Sequence, residues 1–405
     1  MSSHESLPSP GSSPRAGSDR ARYIMVGGFL GAGKTTAVAR LAAYLKAEGR
    51  SVGLITNDQS SGLVDSSILR SKGFAVEEIA GGCFCCRFDS LSDAVGKLTE
   101  ETKPDVFLAE PVGSCTDLLA TVSYPLRRLY GDRYAVAPLS VLVDPSRAAR
   151  VLGLEEGRSF SPKVVYVYEK QLEEADVIVV NKCDAHDAKS IARLTEALRT
   201  RFPRSEVLAV SAKDGAGIEA WFERILESEG SSAPTMDVDY EVYAEGEALL
   251  GWLNETLELD PGTEFDANEL VRTLCLAIRD RLLEVGAEIA HLKMTLDARL
   301  EDGQLAVASL VTSEGEPDLR EALFDRVSGG ALIVNLRAEA DPDELVRLTE
   351  EVQVEVLGKM GLKYRLEHRE HFRPAAPVPV HRDVVAAGQM SQAGQVNAPQ
   401  SGGSA

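Results

Sequence analysis

Long apolar runs are missing from this 405-residue sequence. The longest, such as Val177-Ile178-Val179-Val180, fall far short of the roughly 20 residues a membrane-spanning helix requires. Residues 1–20 are mostly Ser, Pro, Gly and charge, with no apolar stretch that would make a secretory leader. Cysteine is too sparse for a disulfide framework, with six in the whole chain, so reduced thiols and a cytoplasmic location are expected. Positive charge is in deficit. A net charge of −20 repels phosphate backbones and anionic lipid, which argues against nucleic acid or a membrane surface as a partner. Histidine forms no tract and no internal repeat is present. What remains is an ordinary globular balance, 44% apolar and 26% charged, that can bury a sizeable core. At roughly 150 residues per domain, two to three domains are expected.

Composition divides the chain further. Residues 1–20 and 374–405 are expected to be a disordered leader and a disordered tail, because both lack the apolar content to fold. A Gly/Ser/Pro linker at 229–234 separates two patterns. Over 21–230, short apolar runs alternate with amphipathic stretches, as in a doubly wound α/β domain with a mostly parallel sheet and helices on both faces. Strands are predicted at 23–26, 51–56, 75–79, 106–109, 139–143, 177–180 and 207–210. Helices are predicted at 35–48, 91–102, 116–129, 164–174, 188–201 and 218–227. Over 236–373 a smaller α+β domain is expected, of split β-α-β character. Its predicted strands are 238–243, 290–296, 305–311, 331–336 and 363–367, with helices at 246–257, 268–285 and 341–359.

Sites in such α/β domains gather at the carboxyl ends of strands. Gly28-Phe29-Leu30-Gly31-Ala32-Gly33-Lys34-Thr35 is a phosphate loop between a predicted strand and a predicted helix. Its glycines let backbone N–H groups turn onto phosphates, Lys34 reaches the β- and γ-phosphates, and the Thr35 hydroxyl suits Mg²⁺. Asn181-Lys182-Cys183-Asp184 follows another strand. A carboxylate at Asp184 accepts from guanine N1–H and the 2-amino group, neither of which adenine offers, so GTP is expected. Ser211-Ala212-Lys213 fits a second base-contacting loop. Glu110-Pro111-Val112-Gly113 follows a third strand, where a carboxylate can order a water and the Gly113 N–H can sense a γ-phosphate.

Gly81-Gly82-Cys83-Phe84-Cys85-Cys86 places three thiols within four residues. In a reduced compartment these form a soft site for Zn²⁺, Cu⁺ or Co²⁺, and three protein ligands leave a position open for an ion received and handed on. Buried structural cysteines or a redox thiol pair are the alternatives. Cys115, Cys183 and Cys275 stand apart in sequence and read as core or loop residues.

Residues 28–36, 81–86, 110–113 and 181–184, in this order and spacing, resemble the CobW-like GTPases, relatives of the GTPases that mature nickel hydrogenase and urease. The resemblance covers about residues 22–228. It implies a metallochaperone that couples GTP binding and hydrolysis to delivery of a metal ion or metal cofactor into a client metalloenzyme. It also implies a homodimer. Carried over by residue, Gly28, Gly31, Ala32, Gly33, Lys34, Thr35 and Thr36 hold phosphates, with Thr35 on Mg²⁺. Asn181, Lys182 and Asp184, with Ser211, Ala212 and Lys213, hold the base. Cys83, Cys85 and Cys86 hold Zn²⁺ or Co²⁺, and Glu110 and Gly113 form the second switch. Asn57-Asp58 departs from the family's Asn-Glu in the first switch, which leaves Asp58 and Asp65 as rival carboxylates toward Mg²⁺. His291, His368 and His371 read as packed or solvated rather than ligating. Two other functions fit parts of the pattern: a docking GTPase with structural cysteines, and a small-molecule kinase.

Overall fold

A computed structural model describes residues 20–57, 69, 73–230, 233–301 and 303–385. The apolar runs of the first half form β1 (Ala21–Gly28), β2 (Val52–Asn57), β3 (Ala75–Ile79), β4 (Val106–Glu110), β5 (Tyr134–Val136), β6 (Ser140–Val143), β7 (Val177–Val180) and β8 (Glu206–Ala209). They make one sheet of order β3-β2-β4-β1-β6-β7-β8, with β5 paired to β1. Every pairing in it is parallel. Successive side chains of β1 point to opposite faces: Tyr23 and Met25 enter one core, Ile24 and Val26 the other. Helices cover both. α1 (Lys34–Ala47) and α7 (Ile218–Glu227) pack on one face. α2 (Phe88–Thr102), α5 (Pro162–Glu174) and α6 (Ala188–Arg201) pack on the other, joined by α3 (Tyr124–Tyr130) and α4 (Pro145–Val151). This is the doubly wound fold expected from the alternation.

The second half builds an antiparallel sheet of order β12-β11-β10-β13-β9-β14. Its strands are β9 (Leu250–Leu259), β10 (Ile289–Asp297), β11 (Leu305–Leu310), β12 (Asp318–Glu321), β13 (Gly330–Glu339) and β14 (Tyr364–Phe372). α9 (Ala267–Glu284) connects β9 to β10 and α10 (Pro342–Lys359) connects β13 to β14, and both pack on one face. These are two split β-α-β units, with β11 and β12 extending one edge.

Three expectations fail. Residues 238–243 are not a strand: α8 (Tyr240–Leu249) starts there, capped by Asp239, which accepts from the Glu241 and Val242 N–H groups at 3.0 and 3.2 Å. Residues 246–257 are not one helix, because the chain leaves α8 at Leu249 and enters β9, which pairs with β13 over ten positions. The tail is not wholly unstructured. Residues 374–385 run back over the first domain, with Val380 N–H on Cys85 O at 3.0 Å and Asp383 N–H on Ala120 O at 2.8 Å. The predicted helix 116–129 also starts late, as a π turn at Leu119–Ser123 that leads into α3. β5, α4 and β12 were not anticipated.

Candidate functional site

The phosphate loop leaves β1 at Gly28 and enters α1 at Lys34. Gly33 is left-handed (φ 91°), and a Cβ there would lie 2.5 Å from Asn181 Nδ2, so a side chain is excluded by conformation and by space. Lys34 Nζ folds over the loop, donating to Gly28 O at 2.9 Å and Phe29 O at 3.3 Å. The Thr35 hydroxyl donates to Glu110 Oε1 at 2.9 Å, which joins the loop to the end of β4. Gly113 presses so closely on Leu30 that a Cβ would meet its backbone N at 2.9 Å.

The other strand ends converge on the same loop. Asn181 donates Nδ2 to Ala32 O and accepts the Ala212 N–H, both at 2.9 Å. Lys182, left-handed at φ 60°, donates to Gly31 O at 2.7 Å and pairs with Asp144 at 2.9 Å. Burial alone would raise the Asp144 carboxyl, but Lys182 and Arg147 outweigh it and hold it below its ordinary value. Ser211 Oγ donates to Asp184 Oδ1 at 2.7 Å, and Asp184 itself is exposed. A cavity of about 810 Å³ opens between these loops and the second sheet. Gly31, Gly33, Lys34, Thr35, Thr36 and Gly113 line it, with Asn57, Glu110, Ala212 and Lys213.

Behind β3, the Gly81–Cys86 segment turns tightly, the Cys86 and Arg87 N–H groups both bonding Cys83 O at 3.1 and 2.9 Å. The turn brings three sulfurs together: Cys83–Cys85 at 2.8 Å, Cys83–Cys86 at 3.0 Å and Cys85–Cys86 at 3.7 Å. All three are free thiols, and among the described residues this is the one group of three or more potential metal ligands lying within 4.8 Å of each other. Hydrogen bonds from the thiols of Cys115, Cys85 and Cys86 stabilise a Cys83 thiolate and pull its pKa far down. The hydrogen bond shared with Cys83 pushes Cys86 up to about 11, and Cys85 is pushed up for the same reason. Cys115 is a core residue, as the sequence suggested, but it is not isolated: it neighbours the cluster.

Two structural links leave this cluster. Asn57, which lines the nucleotide-sized cavity, donates Nδ2 to Ile79 O at 2.9 Å and to Gly82 O at 2.7 Å. The returning tail covers the outer side: Val378 N–H donates to Cys86 Sγ at 3.2 Å, and the His381 ring meets Phe88 edge-on at 4.8 Å.

Residues 22–209 match the family model of the CobW/HypB/UreG nucleotide-binding domain. This domain belongs to that family. Zinc chaperone CobW from Sinorhizobium sp is 28% identical over 220 residues, 50% of this chain and 61% of that protein. Zinc chaperone YeiR from Escherichia coli is 32% identical over 167 residues, 40% of this chain and 47% of that protein. The chain thus spans about half to three fifths of these curated relatives. Among solved structures, Zn(II)-bound YjiA GTPase from E. coli is 17% identical, with 82% of this chain and 99% of that one covered and a TM-score of 0.35.

Within the CobW-type domain, all sequence-derived site residues except Asp58 and Asp65 are placed. Asp58 and Asp65 lie outside the described residues. The Thr35 hydroxyl and the Glu110 carboxylate, 2.9 Å apart, are oxygen groups of the kind Mg²⁺ takes, so the residues present fit that ion. Sequence reasoning missed Asp144, Arg147 and Cys115. Asp144-Pro145 carried a signal, a cap residue followed by proline at the first helical position, and Asp144 does accept the Arg147 N–H at 3.1 Å. Cys115 carried none. His291 lines the cavity, and burial with the nearby cations Lys293 and Arg337 pushes its imidazole well below the ordinary value. His371 pairs with Asp343 at 3.0 Å on the exposed side of β14. No described helix is long and apolar enough to cross a membrane.

Proposed function

We propose that this chain binds GTP with Mg²⁺ in the cavity above the phosphate loop, hydrolyses it, and couples that cycle to holding and releasing a thiophilic ion, Zn²⁺ or Co²⁺, on Cys83, Cys85 and Cys86. The observation that carries this reading is Asn57. One side chain borders the cavity, bonds Gly82 O in the metal loop and bonds Ile79 O at the end of β3 just before it, so a change at the nucleotide would move the cysteines. The names of the zinc chaperone relatives support the metal assignment. Lys34 would bind the β- and γ-phosphates, with Mg²⁺ on Thr35. Mg²⁺ supplies charge neutralisation at the phosphates. Glu110 would order the attacking water, Gly113 sense the γ-phosphate, and Asp184 read guanine, steadied by Ser211. The ion is cargo, and its destination is a client metalloenzyme. A homodimer across the nucleotide is part of the same proposal.

Nucleotide titration tests the reading. GTP is expected to bind more than about tenfold better than ATP, a gap of about 1.4 kcal/mol, and Asp184→Asn should erase most of that preference. Alongside, one Zn²⁺ per chain should bind wild type and be lost from the Cys83→Ser/Cys85→Ser/Cys86→Ser variant. Equal affinity for the two nucleotides contradicts the guanine assignment. Undiminished zinc binding by the triple variant moves the metal elsewhere.

A further inference from the structure

The antiparallel sheet has two different faces. Along β10 and β13 alternate side chains, Leu292, Met294 and Leu296 with Leu332, Val334 and Leu336, enter the core beneath α9 and α10. The residues between them, His291, Lys293, Asn335 and Arg337, line the cavity that also holds Lys34, Thr35 and Glu110. Two arginines fix this polar face against the phosphate loop. Arg147, buried at the junction, donates to Leu30 O at 2.7 Å on the loop, and to Ile289 O and Ala290 O at 3.2 and 3.0 Å at the start of β10. Arg320 on β12 donates Nη1 to Thr36 Oγ1 at 3.2 Å, next to the phosphate-loop threonine. The sheet is thus a wall of the cavity.

That wall is cationic in a chain of net charge −20. Among the described lining residues seven are Lys or Arg, while the carboxylates are two, Glu110 and Glu321. Asp318 offsets part of the excess, forming an ion pair with Arg320 at 3.0 Å and accepting from Lys213 at 3.4 Å. Domain junctions ordinarily set opposite charges against each other, since like charges brought together are unfavourable. Lysines and arginines converging from both domains on one cavity suit a multiply charged anion bound between them.

We infer that Lys293 and Arg320, carried by the second sheet, are phosphate-binding residues of the nucleotide site. They supply in cis the cations that nucleoside-triphosphate chemistry needs beyond the phosphate loop itself. The inference rests on the guanine-nucleotide reading above. The anion would be the triphosphate chain, with Arg320 near the phosphates served by Thr36 and Lys293 facing Lys34 across the cavity. Bound nucleotide would then bridge the two domains.

The test is titration of GTP and GMP into wild type, Arg320→Ala, Arg320→Lys and Lys293→Met at low and at physiological salt, with melting of the nucleotide-free proteins as a folding control. GTP affinity is expected to fall about tenfold in Arg320→Ala and in Lys293→Met, the effect of losing one charge-assisted hydrogen bond. GMP affinity should change much less, and the salt dependence of GTP binding should become shallower in both. Arg320→Lys should recover part of the loss. Wild type that binds GTP, with unchanged affinity in both variants and only a lower melting temperature in Arg320→Ala, overturns the inference: the cations would then merely hold the domains together. Wild type that fails to bind GTP contradicts the nucleotide assignment itself, and this inference with it.

Discussion

Glu110 shows how one residue can be separated into binding and turnover. Its carboxylate accepts from the Thr35 hydroxyl, whereas in the proposed site Lys34 and the backbone of the loop would cradle the phosphates. Glu110→Ala should therefore leave GTP affinity nearly intact and lower turnover about a hundredfold or more, whereas Lys34→Ala should abolish binding; steady-state phosphate release with nucleotide titration separates the two. Normal turnover in Glu110→Ala would remove it from the switch. A second residue gives a pH dependence. Glu247 of α8 is buried, its Oε1 unpartnered among the described residues, and burial pushes its carboxyl up to about 8 from an ordinary 4.5. The folded chain then keeps a proton that the unfolded chain loses. Stability from this group is fully present below about pH 4.5 and declines until pH reaches about 8. Glu247→Gln should match wild type near pH 4.5 and exceed it near pH 8 in urea midpoint; parallel curves would contradict the protonated carboxyl. Lys34, Thr35, Asp184 and the Cys83–Cys86 thiols were legible because chemistry ties each to fixed neighbours in sequence. Arg320 and Lys293 were not, since only the docking of a distant sheet brings them to the phosphate loop.

Among the elements, the segment 374–385 is the one composition concealed. Its Ala and most of its Val residues are exposed, only Pro374 and Pro377 being buried, and backbone hydrogen bonds and two ion pairs help to hold it. Arg382 pairs at 2.7 Å with buried Asp117, which Tyr240 also donates to at 2.7 Å, and Asp383 pairs with Arg128 at 2.8 Å. Asp117 lies four residues after Gly113, so the latch of this strap adjoins the Glu110–Gly113 segment. Because the strap covers Cys85 and Cys86, Arg382→Ala, or truncation after Arg373, should speed zinc transfer to a competing chelator about tenfold, as expected for losing one charge-assisted hydrogen bond. An unchanged transfer rate would show that the strap does not limit access. The misread stretch 238–257 failed for a related reason. Val238, Tyr240 and Val242 alternate like a strand, but Asp239 caps a helix whose Gly246 packs so closely on Lys163 O that a Cβ would sit 2.4 Å away. Leu250–Leu259 is rich in helix-forming Leu and Glu, and pairing with both β13 and β14 overrides that propensity. The parallel strands were legible because burial on both faces leaves unbroken apolar runs.

At the scale of the molecule, the nucleotide cavity and the thiol cluster are separate sites on the same parallel sheet, each formed at strand ends. Asn57 at the end of β2 spans them, and Cys115, two residues beyond Gly113, meets Cys83 from the loop after β4. In the proposed cycle, these two contacts from two loops bordering the cavity would make the metal site sensitive to what occupies it. Thermodynamic linkage makes this strict: if nucleotide state changes metal affinity by some factor, metal changes nucleotide affinity by the same factor. The measurement is a Zn²⁺ titration of the full chain with GDP and with a non-hydrolysable GTP analogue, paired with titration of both nucleotides with and without zinc. The account predicts zinc affinities that differ between the two states by about five- to a hundredfold, and an equal ratio in the reverse experiment. Equal zinc affinity in the two nucleotide states would contradict it, leaving a GTPase whose cysteines do not take part in its cycle.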